Sequence, residues 1–264
     1  MIILLHTSKT MRVAASQTPL RQPALLRKTV ELATYLKTLS PTQLTHVMHV
    51  SAPLAEKTHE TLAEWNIKPS RQTPAIESFI GDIYSGLQAN KLTTAQRNYA
   101  DTHLYILSGL YGVLRSNDGV SPYRLEMGYR LLAEPYANLY KFWGDSIAKI
   151  LPKNETIINL AAVEYSRVVL PFVDSERVIT PKFLTYDAKT SEYTFVVVHA
   201  KIARGAFAHW LIISRVTTAE GLSQFAEIGY RYSKKLSTPQ EPVFVCKEFG
   251  GKGLSVRLQK LTLG

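Results

Sequence analysis

Met1-Ile2-Ile3-Leu4-Leu5, followed at once by His6-Thr7-Ser8-Lys9-Thr10, is the stretch from which the fold class is read. Five apolar residues without polar alternation have the length and character of a strand buried on both faces, as found in sheets covered by helices. The run is too short for a secretory signal and lacks a cationic lead-in and a small-residue cleavage site.

Working outward, three helices are expected next. Pro23 stands near the start of the first. Ser40-Pro41 supplies a cap and a proline at the first helical position of the second, and Ser51 with Pro53 opens the third. Ala75 to Ile80 reads as a strand stopped by Gly81, Thr94 to His103 as a helix, and Leu104 to Leu107 as a short strand running into Ser108-Gly109-Leu110-Tyr111-Gly112. Tyr123 to Met127 is expected to be extended, Leu139 to Leu151 helical and Thr156 to Leu160 a strand. Val178 to Tyr186 and Tyr193 to His199 alternate like two strands joined by a hairpin at Ala188 and Lys189, and Lys201 to Arg215 reads as a long helix. Strands recurring between helices, with an antiparallel pair, predict a mixed α/β (α+β) fold: a compact single domain over 1–249, a mixed sheet flanked by helices, and a basic C-terminal tail over 250–264.

Composition narrows the function. With 45% hydrophobic and 20% charged residues in 264, the chain can bury a sizeable core. No stretch approaches the roughly 18 apolar residues of a membrane helix. A single cysteine, Cys246, rules out an internal disulfide and a cysteine-based zinc site, which suits the cytoplasm. The net charge is +10, a balance compatible with a polyanionic partner. From Gly229 to Gly264 there are seven cations (Arg231, Lys234, Lys235, Lys247, Lys252, Arg257, Lys260) against Glu241 and Glu248, half of that total.

Several residues could carry chemistry. Lys201 and Arg204 are expected in the first turn of the long helix, on one face, where the positive end of the helix macrodipole disfavours cations unless an anion is present. Side chains extended into water are the plain alternative. Gly205 is costly inside a helix and points to a close backbone approach. Arg124 and Glu126 share one side of an extended segment and can pair. Asn159 ends an apolar strand and Glu164 lies on the helix after it, where α/β sheets open their crevices, though Asn159 also suits a helix cap. Trp143-Gly144-Asp145 interrupts a helix, with Asp145 in reach of Lys141. Gly109-Leu110-Tyr111-Gly112 resembles the hairpin of a helix-hairpin-helix element, but after a strand over Leu104 to Leu107 it reads more naturally as a plain turn. Ser8-Lys9-Thr10 lacks the glycines of a phosphate-cradling loop, no G-x-S-x-G elbow occurs, and His46 and His49 have no carboxylate at ligand spacing. No metal and no cofactor are expected.

In order along the chain, Phe79-Ile80-Gly81-Asp82-Ile83-Tyr84-Ser85-Gly86-Leu87, Leu107-Ser108-Gly109-Leu110-Tyr111-Gly112-Val113-Leu114-Arg115 and Pro122-Tyr123-Arg124-Leu125-Glu126-Met127-Gly128 resemble the signature blocks of the YaaA family. So do Leu139-Tyr140 with Phe142-Trp143-Gly144-Asp145, Asn159-Leu160-Ala161 with Glu164-Tyr165, and Lys201 with Ala203-Arg204-Gly205. The chain departs from that pattern in having His6-Thr7 where Ser-Pro is usual, Ala162 where serine is common, and Arg231, Lys234 and Lys235 where the family is often acidic. The resemblance implies DNA binding through a positively charged cleft with a helix-hairpin-helix-like element, and a role in limiting peroxide damage linked to free iron.

The expectation is therefore a cytoplasmic DNA-binding protein of the peroxide stress response with double-stranded DNA as partner. Its DNA or anion contacts would come from Ser8, Lys9, Thr10, Gly109, Tyr111, Gly112, Arg124, Asn159, Tyr165, Lys201, Arg204 and Gly205. The rival is an enzyme acting on a nucleotide or nucleobase in a polar cleft, with Glu126, Asp145 or Glu164 as acid or base. Convergence of Ser8, Lys9, Arg124, Glu126, Asn159 and Lys201 into a deep pocket favours the enzyme, and a shallow open groove favours binding.

Overall fold

All five residues of the first strand, β1 (Ile2–His6), are buried in the computed structural model, which describes residues 1–12, 20–68 and 72–254. β2 (Thr10–Met11) follows, then α1 (Leu26–Lys37), α2 (Pro41–Met48) and α3 (Ala52–Glu64). The Ser40-Pro41 signal is realised as a capping box, with Ser40 and Gln43 each accepting from the other's backbone N–H. Next come β3 (Thr73–Pro74), α4 (Ala75–Ser78), β4 (Phe79–Ile80), α5 (Asp82–Leu87) and α6 (Thr94–His103). β5 (Leu104–Ser108), β6 (Gly112–Arg115) and β7 (Gly119–Val120) lead through an irregular stretch to α7 (Leu139–Trp143), β8 (Ile157–Asn159), α8 (Val163–Ser166) and β9 (Val178–Ile179). The last third holds β10 (Lys182–Asp187), β11 (Glu192–Thr194), α9 (Val197–Ser214), β12 (Tyr230–Tyr232) and β13 (Val243–Cys246).

The main sheet has the order β6-β5-β1-β8-β9, with β5, β1, β8 and β9 parallel and only β6 antiparallel. From β1 the chain reaches β5 on one side, then β8 on the other and β9 beyond it. The direction of winding therefore reverses between β1 and β8, and such sheets open a crevice at the carboxyl ends of those two strands. The second sheet, β11-β10-β13-β12, packs on α9 through Phe183, Phe207, Phe225 and Phe244, with ring centroids 4.8 to 6.1 Å apart. Mixed α/β architecture stands as expected.

Four local expectations give way. Ala75 to Ile80 splits into the helical turn α4 and the two-residue β4. Pro74 begins the turn and the Ser78 hydroxyl returns to the Pro74 carbonyl at 3.0 Å, so a short buried run read as a strand is mostly helix. The helix expected over Leu139 to Leu151 stops at Trp143, because Gly144 takes φ +51 and only 3-10 turns follow. Val178 to Tyr186 is two strands in different sheets, parted around Pro181. The hairpin at Ala188 and Lys189 is present, but its second arm ends at Thr194 and Val197–His199 already belongs to α9. Lys201 and Arg204 consequently lie in the second and third helical turns, beyond the reach of the macrodipole. At the C-terminal end, Gly250 N–H donates to the Ile228 carbonyl at 3.1 Å and Leu254 packs on the core. The fold thus continues past the expected boundary at 249. The rest of the basic tail, 255–264 with Arg257 and Lys260, lies outside the described residues.

Gly205 has the close approach its sequence position suggests. A Cβ there would stand 1.8 Å from the Ile83 carbonyl oxygen of α5, and one on Gly86 2.1 Å from the Ile202 carbonyl oxygen of α9. The two helices cross backbone to backbone, and Gly205 serves packing, not anion contact. Among the described residues no helix is long and apolar enough to cross a membrane.

Gly205→Ala and Gly86→Ala should each destabilise the protein by about 3 kcal/mol or more, because the obstructing atoms are backbone and cannot rotate away. Urea unfolding followed by circular dichroism checks this, and a loss below about 1 kcal/mol would mean that the crossing relaxes freely.

Candidate functional site

His6 ends β1 at the mouth of the crevice and is only 7% exposed. Its Nδ1 accepts the Ala162 N–H at 3.2 Å, so the neutral ring carries its proton on Nε2. The Tyr84 hydroxyl of α5 donates to the His6 carbonyl at 3.0 Å, and the ring stacks on Tyr165 of α8 at 4.8 Å. Burial, and after it the positive charges of Arg204 and Lys201, push His6 down to about 3. The imidazole is therefore a fixed, uncharged N–H donor at neutral pH.

A chain of hydrogen bonds runs from the next residue to a carboxylate. Thr7 Oγ1 donates to the Tyr165 hydroxyl at 3.3 Å, and Tyr165 donates to Glu126 Oε1 at 3.1 Å. Lys9 Nζ approaches Glu126 Oε2 at 3.4 Å, and the Arg124 guanidinium donates to the Lys9 carbonyl at 3.3 Å. Arg124 and Glu126 do share one side of an extended segment, with buried Tyr123, Leu125 and Met127 on the other. Instead of pairing with each other, both hold the Lys9 loop. The Glu126 side chain is 12% exposed. Burial raises its carboxyl, Lys9 pulls it down and the neighbouring Glu164 pushes it up. Burial and Glu126 hold the Tyr165 phenol well above its ordinary value, so it stays a donor. Glu164 accepts the Gly128 N–H at 2.9 Å, and its own carbonyl accepts from Tyr140 at 2.8 Å.

Lys201 and Arg204 of α9 act on His6 through their charge. Among the described residues neither has an ion pair or a side-chain hydrogen bond, and burial pushes the Arg204 guanidinium down. Positive charge thus bears on His6, which stacks on Tyr165, and Tyr165 in turn meets the Glu126 carboxylate. Such a place can hold an anion at one end and move a proton at the other.

Other candidates are occupied elsewhere. The Ser8 hydroxyl is shared between the Ile80 carbonyl at 2.6 Å and the Thr10 carbonyl at 2.8 Å, and Thr10 pairs with Ile80, so both shape the loop that carries Lys9. Asn159 is 5% exposed and spends its amide on Thr180 at 3.3 Å and Ala161 N–H at 3.2 Å. Asp145 is exposed and pairs with Lys149 at 2.8 Å, outside the crevice, instead of with Lys141. The Gly109 to Gly112 block is a strand-turn-strand hairpin between β5 and β6, not a helix-hairpin-helix. It is buried. The Gly109 carbonyl accepts from Trp143 Nε1 at 3.1 Å, the Tyr111 hydroxyl from Trp65 Nε1 at 3.0 Å, and Gly112 takes φ +69. Gly109, Tyr111 and Gly112 therefore touch protein where a phosphate was expected. The sequence reading missed His6, Thr7 and Tyr84 as site residues. The signal for the first two was their place directly after an all-apolar strand. Among the described residues no three His, Cys, Asp or Glu side chains cluster so as to share a metal ion.

The family model described as peroxide stress protein YaaA matches residues 1–236. A UPF0246 protein of Salinispora tropica is 58% identical over 262 residues, covering 99% of this chain and 100% of its own. UPF0246 proteins of Ralstonia pickettii and Roseobacter denitrificans are 37% and 36% identical, over 92% and 93% of this chain and 98% of each of theirs.

The buried His6 carries a pH signature. Its folded value lies below its unfolded one, so the unfolded chain binds the proton first, and stability falls as pH drops from about 6.5 towards about 3. The slope approaches about 1.4 kcal/mol per pH unit. Glu126, raised in the fold, acts with the opposite sign, adding stability as pH falls towards its unfolded value. Unfolding titrations against pH should show His6→Gln with a flatter slope than the parent between about pH 6 and pH 5, whatever its absolute stability. Equal slopes would mean that the ring titrates normally.

Proposed function

This chain belongs to the family of peroxide stress protein YaaA, and we propose that it serves the peroxide response by binding duplex DNA, with a backbone phosphate held at the cationic end of the crevice. The observation that carries this reading is that Lys201 and Arg204 have no counter-ion among the described residues. A half-buried guanidinium loses hydration on folding, and normally a carboxylate replaces it, as Asp101 and Asp118 do for Arg21. Where no carboxylate is supplied, a phosphate completes the site, and the planar fork of arginine suits it in two-point geometry. The net charge of +10 draws the polyanion in. Exposed Arg231, Lys234, Lys235 and Lys247 add charge away from the crevice without base selectivity. The cytoplasm is the compartment this partner implies, and restraint of damage linked to free iron is the benefit inferred from the resemblance.

A second reading rests on Glu126. A carboxylate raised by burial and bonded to a tyrosine and a lysine within a crevice is what general acid-base chemistry on a nucleotide or nucleobase requires. Both readings place a phosphate against Lys201 and Arg204, and they differ in whether a bond is then broken.

Titration of a labelled duplex should show affinity that falls steeply with salt and depends little on sequence. Replacing Lys201 and Arg204 together with Gln should lower affinity and flatten the log-log salt slope by about 1 to 2, while melting temperature holds or rises. A large loss of stability with binding per folded molecule unchanged would show that these cations serve the fold.

A further inference from the structure

The residues that lead into β8 and β9 enclose a cavity of about 410 Å³, within the size range of small-molecule sites. It lies at the amino ends of those parallel strands, whereas the crevice opens at the carboxyl ends of β1 and β8. Ala148, Leu151, Val173 and Phe172 give it an apolar lining, and Phe172 is 49% exposed. Lys149, Lys153 and Arg177 share that lining with Asp145 and Asp174.

These charges are only partly matched. Lys149 is met by Asp145 at 2.8 Å, and among the described residues Lys153 and Arg177 have no ion pair. The Arg177 guanidinium is half-buried and donates from Nη2 to the Pro152 carbonyl at 2.8 Å, while its Nε–H is closed to solvent and has no acceptor. Buried donors are almost always satisfied. Elsewhere in the chain carboxylates do this for arginine: Asp101 and Asp118 hold Arg21, and Glu77 holds Arg97. Asp174 stands three residues before Arg177, but it accepts the Glu176 N–H at 2.9 Å and does not pair with the guanidinium. Lys153 by itself is an ordinary solvated charge. Beside an arginine with a donor to spare and an aromatic ring left half in water, it completes a set.

Each part of that set has its complement in one kind of molecule. Two unmatched cations suit a phosphate monoester, whose oxygens take two-point bonds from a guanidinium. The half-exposed phenylalanine offers a face on which a base can stack. The second oxygen of Asp174 is an acceptor for a ribose hydroxyl. We propose that this cavity binds a mononucleotide, with its phosphate on Arg177 and Lys153, its base on Phe172 and its ribose at Asp174. Turning towards a phosphate oxygen also gives the guanidinium an acceptor that the protein does not supply. The cavity is separate from the crevice, and neither reading of the crevice is needed for it.

Adenosine 5′-monophosphate is the probe. Equilibrium dialysis against the full chain should show saturable binding, with adenosine and inorganic phosphate each about tenfold or more weaker, because each keeps only part of the match. Arg177→Gln should weaken the monophosphate about tenfold or more, the order of one charge-assisted hydrogen bond. Phe172→Ala should weaken it about fivefold or more, the low end of base stacking on an aromatic ring. In the parent, nuclear Overhauser contacts should join the adenine protons to the Phe172 ring, a readout that needs no variant to fold. No binding, adenosine or phosphate as tight as the monophosphate, or no contact at Phe172 each overturns the proposal.

Two further measurements separate this cavity from the crevice. The Phe172 contact should persist when Lys201 and Arg204 are both replaced with Gln, and its loss there would move the nucleotide to the crevice and overturn the proposal. Phe172→Ala should bind duplex as the parent does, and a fall would make this face part of a DNA surface and overturn the mononucleotide reading. If no duplex binds the parent even at low salt while the nucleotide meets Phe172, the DNA reading fails and the cavity stands.

Discussion

β1 is buried on both faces, so the polar residue at its carboxyl end leaves the core with protein around it and must complete its hydrogen bonds there. The Ala162 N–H supplies one of them and thereby decides which nitrogen of His6 is protonated. With the ring dry, stacked on Tyr165 and faced by two cations, a charged imidazolium is excluded at neutral pH. A residue that would otherwise titrate near physiological pH becomes a permanent dipole aimed into the crevice.

The same sheet position collects charges that the rest of the chain pairs. Arg21 with Asp101 and Asp118, Arg97 with Glu77, and Lys182 with Glu241 each complete an ion pair within the protein. Lys201 and Arg204 act by charge on His6, and His6 stacks on Tyr165, which donates to Glu126. Glu126 in turn is paired with Lys9, so charge on that side of Tyr165 is met within the protein. The backbone crossing at Gly86 and Gly205 sets α9 against α5, whose Tyr84 is bonded to the end of β1.

The sequence disclosed those parts of the fold in which local chemistry and tertiary context agree. The apolar run of β1, the capping signals of α2 and the helix Thr94 to His103 are all of this kind. It misled where burial outweighed pattern: Ala75 to Ile80 is apolar enough for either structure, and the start of α9 is hidden by two valines that look like strand. Part of the candidate site was legible, since Lys9, Tyr165 and Glu164 do stand around Glu126. Ser8, Asn159 and Asp145 were named as polar groups in the right neighbourhood, but only coordinates reveal that their partners are already protein. His6 was passed over because its role depends on Ala162, a residue 156 positions away.

That contact also bears on how this chain is to be set beside its relatives. Two of the three places where the chain departs from the usual family pattern, His6 for serine and Ala162 for serine, touch each other through one hydrogen bond. Alanine at the start of α8 has no side chain to cap the helix, and the histidine receives the alanine's own backbone N–H. A serine at 162 would instead cap amides further into the turn, and a short side chain at 6 would reach none. Positions 6 and 162 therefore depend on each other in one direction: a short residue at 6 strands the amide of residue 162 whatever its side chain, whereas serine at 162 keeps the bond to His6 and adds a cap.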